Sequence, residues 1–367
     1  VKGRWLVASG LVALVVAGTL ACLGGCSNMG YYWQSATGHL RILQAARPVQ
    51  EWMVDDHAPQ RLKERLALSQ RIRAFASSEL HLPDNPSYRR YADLQRTAVV
   101  WNVVAAPEFS LKLKNWCFPV TGCVGYRGYF DEAEARAEAE SLRSQGYEAA
   151  TYAVPAYSTL GWMNWAGGDP LLNTFIHYPE GELARLIFHE LAHQVIYAKD
   201  DTMFNESFAT AVERLGVERW LQTQATAQAR SDYERYNERR NQFRKLTRAT
   251  RAGLEAIYER GNGLTDEQRR GRKDQVLAGF RAEYARIRDG WNLEPARLRT
   301  TDEWVANANN ASFGAQAAYD DLVPGFEGLF ESVGRDWTRF YDEAKRLATL
   351  PRFERHEYLK RKETPRA

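Results

Sequence analysis

Apolar positions recur at spacings of three and four from Tyr31 to about Asn85, as in GHLRILQAARPVQEWM and PQRLKERLALSQRIRAFASSEL. That period lays an apolar stripe along one side of an α-helix, so the first part of the chain is expected to be mostly helical. The pattern then changes. TAVVWNVVAA (97–106) is β-branched and closed by Pro107, which reads as a buried strand. VGYRGYF (124–130) is a second, shorter strand candidate. DEAEARAEAESLRSQG returns to the helical period, with Asp131 as a candidate N-cap and Gly146 as the glycine just past the C-terminus. YEAATYAV (147–154) and LLNTFIHY (171–178) are expected to complete an α+β layer. Between them, STLGWMNWAGGDP (158–170) mixes turn formers with aromatic residues, and is expected as a loop wrapped against the core.

From there to the end the period is helical. LIFHELAHQVIY (186–197) and FNESFATAVERLG (204–216) predict two helices joined at KDDTM, where Asp201 or Thr202 can cap the second. Residues 222–290 carry a long stripe: Tyr233, Tyr236, Phe243, Leu246, Leu254 and Ile257, interrupted by Arg240 and Thr250. After a break at GNG (261–263), Thr265 and Gln268 have capping-box spacing, and Leu277, Phe280, Tyr284, Ile287 and Trp291 resume the stripe. This span predicts a helical hairpin resembling a coiled coil. A last helical stretch breaks at Pro324. The fold expected is α+β and predominantly helical, with parts at 26–221, 222–290 and 291–367.

Composition narrows the function. The 367 residues are 44% hydrophobic and 26% charged, as in globular proteins, and a net charge of +3 is too small to argue for nucleic acid. The hairpin holds 16 Lys or Arg against 10 Asp or Glu, an excess that more often marks a solvated face than a binding site. Residues 1–25 read as a secretory signal: Lys2 and Arg4, then the apolar WLVASGLVALVVAGTLA, then LGGC ending at Cys26. Small residues before a cysteine resemble the bacterial lipobox. That resemblance implies lipidation of Cys26 and a membrane anchor in the cell envelope. Ser27 implies sorting to the periplasmic face of the outer membrane. Cys117 and Cys123, in CFPVTGC, are spaced for a small disulfide loop that an oxidising compartment permits. A structural zinc pair is the competing reading, without a second close cysteine pair to complete it.

The candidate chemistry lies in His189, Glu190 and His193, an H-E-x-x-H sequence. Residues four apart share a helix face, so both imidazoles reach one metal ion, and Glu190 can act as base toward a metal-activated water. Catalytic zinc takes three protein ligands and keeps one position open. The third can come from Glu206, thirteen residues beyond His193, or from Glu213, seven further on the same helix; the one that does not ligate can orient a histidine.

HELAH followed by NESFAT resembles the gluzincin metallopeptidases. With the lipobox, YYWQSATGHLRIL, CFPVTGCVGYRGYF and DPLLNTF, the chain resembles the bacterial family of predicted zinc aminopeptidases. The resemblance implies a zinc-dependent peptidase, an aminopeptidase in the first instance, with a gluzincin-like core, His189, His193 and Glu206 as ligands, Glu190 as catalytic base and a peptide as substrate. It also implies a Tyr or His donor for the oxyanion, for which Tyr319 is the first candidate and Tyr197 the second. An edge strand beside such sites pairs with substrate, which points to 173–177 and to Asn173 and Thr174. Aminopeptidase N relatives hold the substrate amine with a glutamate where this chain has Asn164, in GWMNW; Asp169 is the candidate replacement. Two alternatives stay open: a zinc hydrolase of cell-wall peptides, and a non-enzymatic lipoprotein that binds a partner through its hairpin.

Overall fold

The computed structural model describes residues 26–118, 122–156, 158–259, 263–317 and 321–362, with the backbone alone at 26–29 and 317. The signal segment 1–25 and Tyr319 lie outside these residues, as does the side chain of Cys26. The described residues form thirteen α-helices and three small sheets, a predominantly helical α+β fold.

Three helices open it: α1 (Cys26–Ala45), α2 (Val49–Val54) and α3 (Gln60–Ser78). Strand β1 (Arg47–Pro48) pairs antiparallel with β2 (Arg90–Ala92), which runs parallel to β8 (Leu171–Leu172). The longest strand, β3 (Val100–Pro107), lies between β6 (Arg127–Tyr129) and β7 (Tyr147–Val154), antiparallel to both. It is apolar at consecutive positions because both of its faces are covered. Val103 and Ala105 pack on Ala135, Ala139 and Leu142 of α4 (Glu132–Ser144). Val104 and Ala106 pack on Ala311. Asp131 caps α4 by accepting the Glu134 N–H, and Gly146 ends it with φ of +85°. A hairpin of β4 (Trp116–Phe118) and β5 (Gly122–Val124) is closed by a Cys117–Cys123 disulfide.

Helices α5 (Glu180–Ala192) and α6 (Thr202–Thr223) pack on each other at the centre. From Phe204 to Glu213 every position of α6 except Glu206 is buried, so its first half is a core helix, and it reaches solvent further on, at Glu218 and Arg219. Phe208 meets Phe326, Phe340 and Tyr341 of the C-terminal helices, with ring centroids 5.5, 5.8 and 6.1 Å away. Between α6 and those helices come α7 (Ala227–Tyr258) and α8 (Asp266–Asp289), the latter opened by the Thr265–Gln268 capping box. Most of their stripe is covered within the fold, although Tyr236 stays exposed. Leu254, Leu277, Phe280 and Tyr284 bury together with Val305 of α9 (Pro295–Asn307) and Phe313 of α10 (Asn310–Ala317). The chain closes with α11 (Val323–Ser332), which Pro324 starts, α12 (Trp337–Thr349) and α13 (Arg352–Arg361).

Two expectations need correction. LLNTFIHY is strand only at Leu171–Leu172, and its remainder is a series of turns. Arg65 takes two of its backbone carbonyls, those of Ile176 and Tyr178, and within the segment Thr174 donates to the Pro155 carbonyl. There is no edge strand at 173–177 to pair with substrate. The 158–170 loop is held to the protein by Asp169, but Trp162 and Trp165 turn outward, 65% and 83% exposed.

Asp201 ties the last helix to the second central one. Its carboxylate caps α6 by accepting the Phe204 N–H at 3.2 Å. It also lies 2.8 Å from His356 Nε2 and 3.7 Å from Arg355 on α13. Losing a cap costs about 1 kcal/mol, and leaving buried polar partners unsatisfied adds about 1–3 kcal/mol. We therefore expect Asp201→Ala to lower stability by about 2–4 kcal/mol in urea unfolding, and Asp201→Asn by less because it keeps the cap. Equal losses for both would show that the charge, not the cap, carries the effect.

Candidate metal centre

Helix α5 turns an apolar face inward, with Leu183, Ile187, Phe188 and Leu191 all fully buried. His189 and Glu190 follow from the same helix, and Ala192 ends it, so His193 is the helix C-cap rather than an interior residue. The chain then turns through 193–201 and re-enters as α6. Asn205 fixes that turn: its side chain accepts the Ala198 N–H at 2.7 Å and donates to the Ala198 carbonyl at 2.9 Å. The next residue is Glu206, and the fixed turn aims it at the histidines.

Three atoms converge. His189 Nε2 and His193 Nε2 are 3.1 Å apart, and Glu206 Oε2 lies 3.4 and 3.6 Å from them. Zinc bonds of about 2.0–2.1 Å in a tetrahedron set ligand atoms about 3.3 Å apart, so this donor set fits such an ion. Among the described residues, these three form the only cluster that could hold a metal. Burial would lower His189, but hydrogen bonds to Glu206 and Glu213 outweigh it and lift the imidazole to about 10. Burial would raise Glu206, but the two histidines outweigh it and bring it to about 2. Glu206 is thus favoured in its ionised form, the form in which a carboxylate can ligate a cation. Glu190 behaves oppositely: burial raises it, and the neighbouring imidazoles offset this only in part.

Glu213 is not in the cluster but behind it. Its Oε2 lies 3.1 Å from His189 Nδ1, the nitrogen turned away from the other ligands. The second carboxylate oxygen accepts from Arg185. Arg185 also pairs with Glu182, which accepts from Arg240 of α7. Arg240, which interrupts the apolar stripe of α7, thereby joins the long helix to the orientation of His189. Burial would raise Glu213, but Arg185 and His189 outweigh it and hold the carboxyl far below the usual range.

A cleft of about 430 Å³ opens in front of the cluster. One wall is α1, through Tyr31, Tyr32 and Ser35; another is the disulfide hairpin, through Phe118 and Val124. The hairpin docks on the turn between the central helices, where Asp200 accepts the Cys123 N–H at 2.6 Å and Gly122, with φ of +74°, leaves no room for a side chain. Tyr197 and Tyr126 also line the cleft. Burial, then the charges of Glu206 and, more weakly, Glu190, push Tyr126 well above its ordinary value. Sequence reasoning missed Tyr126, because VGYRGYF carries no motif and only the bend of β5 into β6 brings it to the site.

The proposed substrate residues are elsewhere. Asn173 accepts the Leu94 N–H at 2.9 Å and donates to the Arg96 carbonyl at 3.0 Å, so its amide is committed to the fold. Thr174 is committed to Pro155. Asp169 is 3% exposed and accepts the Thr159 N–H at 3.1 Å and the Gln194 amide at 3.3 Å, fastening the 158–170 loop from beneath. Asn164 Oδ1 accepts from the Ser87 hydroxyl at 3.3 Å. None of the four lines the cleft.

A family model described as a putative aminopeptidase matches residues 30–359. No curated protein and no solved structure matches the chain.

Carboxylates that orient a ligating histidine are worth about 10–100-fold in metal affinity. We expect Glu213→Gln to weaken zinc binding by that factor in chelator competition, and Arg185→Met to act in the same direction but less. Unchanged affinity in Glu213→Gln would show that the His189 ring is positioned by packing alone.

Proposed function

The match spans most of the chain, which therefore belongs to the putative aminopeptidase family, and we propose that it is a zinc metallopeptidase of gluzincin type, held at the cell envelope by a lipid on Cys26. The carrying observation is the convergence of His189, His193 and Glu206 at separations that fit a tetrahedral ion, with Glu190 buried beside them. Three ligands leave one position open, the arrangement of a catalytic rather than a structural site. The lipobox and the signal pattern support the anchor.

Bound zinc supplies a Lewis acid and brings the pKa of a water toward neutrality. Glu190 takes the proton of the attacking water as its oxygen adds to the peptide carbonyl. It returns that proton to the amine nitrogen as the C–N bond breaks. Its raised pKa makes it a stronger base than a solvated glutamate and an adequate acid for the return step. Tyr126 donates its phenolic hydrogen to the carbonyl oxygen as negative charge develops there; a phenol held well above its ordinary pKa keeps that hydrogen. Tyr197 stands on the same cleft and is the comparison.

Purified protein is expected to carry about one zinc per chain, and His189→Ala and His193→Ala to lose it. Glu190→Gln should keep the metal and lose about 100-fold or more in peptide hydrolysis. Full activity in that variant, or unchanged zinc in the histidine variants, would refute the assignment. Tyr126→Phe should lower kcat by about 100-fold at unchanged zinc content. An equal or larger loss in Tyr197→Phe, with Tyr126→Phe active, would move the donor to Tyr197.

A further inference from the structure

We propose that the cleft receives an uncharged internal segment of a peptide, with a large apolar or aromatic side chain beside the scissile bond, and that cleavage does not depend on a free α-amine. The inference rests on the zinc-peptidase reading and concerns what that site accepts.

Charge comes first. Among the described residues that line the cleft, the carboxylates are Glu190 and Glu206, and none is a lysine, arginine or aspartate. Both glutamates are committed, one to the base role and one to the metal. An α-ammonium taken into such a site loses its hydration and finds no counter-ion, and an α-carboxylate meets the same cost. The positions where an amine anchor could have been sought are closed. Asp169 spends its carboxylate on Thr159 and Gln194, Asn164 bonds Ser87, and neither lines the cleft. Repurposing Asp169 would unpin residues 158–170.

What the cleft does offer is aromatic surface. Tyr31 stacks on Phe118 with ring centroids 5.5 Å apart and planes 28° apart. Tyr32 meets Phe118 edge-on at 6.5 Å and remains 46% exposed, so its ring is free to cover a ligand. Phe130, Val154 and Leu160 continue the apolar lining toward the metal cluster. Both sides of the subsite are tied to the fold. Phe118 follows a disulfide-bonded cysteine, and α1 is keyed to the sheet by Gln34, which donates to the Gly128 carbonyl and accepts the Phe130 N–H. An apolar side chain entering a pre-formed aromatic wall gains burial without ordering the wall.

The test uses zinc-loaded mature protein and matched peptides that differ in one feature. One pair carries a free or an acetylated N-terminus; one series places Phe, Ala, Glu or Lys at the same central position, with cut sites mapped by mass spectrometry. Acetylation is expected to change the rate by less than about threefold, and Phe to be preferred over Glu and Lys by about tenfold or more, the scale of burying one large side chain. In Tyr32→Ala with Phe118→Ala, the ratio of kcat/KM for Phe over Glu should fall toward unity, with zinc content unchanged as the check on folding. Release of single N-terminal residues from free peptides only would overturn the inference while leaving the zinc peptidase intact. An unchanged Phe-over-Glu ratio in the double variant would overturn the assignment of the subsite. No cleavage of any peptide would instead sink the peptidase reading, and this one with it.

Discussion

Removing charge from water costs several kcal/mol per ion unless it is paired, and this protein packs four charge-bearing side chains between two helices. His189, Glu206, Glu213 and Arg185 each rely on another member of the set for compensation. No single residue in that chain is stable in its place alone. The separation of α5 and α6 is therefore set by more than apolar contact. A shift of a turn in either helix would leave a buried carboxylate facing an imidazole it could not reach. The metal cluster and the fold share this constraint, because the pairs that hold the helices together are the ones that orient the ligands.

The surrounding elements read as supports for that pairing. Asn205 fixes the connecting turn, Asp201 caps the second helix and ties it to the C-terminal helix, and Arg240 brings in the long helix from the other side. The hairpin of residues 222–290 thus acts as a brace. Its apolar stripe is spent on α9 and α10, and the arginine that breaks the stripe is spent on Glu182. On the open side the design reverses. The cleft wall carries tyrosines, two phenylalanines, aliphatic groups and neutral polar side chains, so the carboxylates that line it are Glu206 of the cluster and the adjacent Glu190. A neutral wall raises the effective strength of the few charges it encloses.

Much of this was legible along the chain. Period alone placed β3, α4 and β7, because their residues sit on surfaces covered in a regular way. Local chemistry placed the caps at Asp131 and Thr265 and narrowed a third to Asp201 or Thr202, of which the structure uses Asp201, since each cap is decided within four residues. The strand expected at 171–178 failed for a non-local reason. Its apolar sequence suited a strand, but Arg65 took the Ile176 and Tyr178 carbonyls and local turns took the amides of Phe175, Ile176 and Tyr178, the groups a neighbouring strand would have paired. Asp169 was misplaced in the same way, as sequence cannot tell a carboxylate facing a cleft from one facing a loop's own amides.

By itself, the sequence determined the residues four apart on one helix face and the two glutamates seven apart on the next, because helical spacing is a local property. It also determined which residue types were present to hold a cation. Only the tertiary structure decided that Glu206 faces the imidazoles and Glu213 stands behind one of them, since that depends on how two helices rotate against each other. Only it brought Tyr31, Tyr32, Phe118 and Tyr126 to one cleft from α1 and the strands before α4, and left Asn173, Thr174 and Asp169 outside. Contacts between residues far apart in the chain carry no period and no motif; they exist only once the elements have packed.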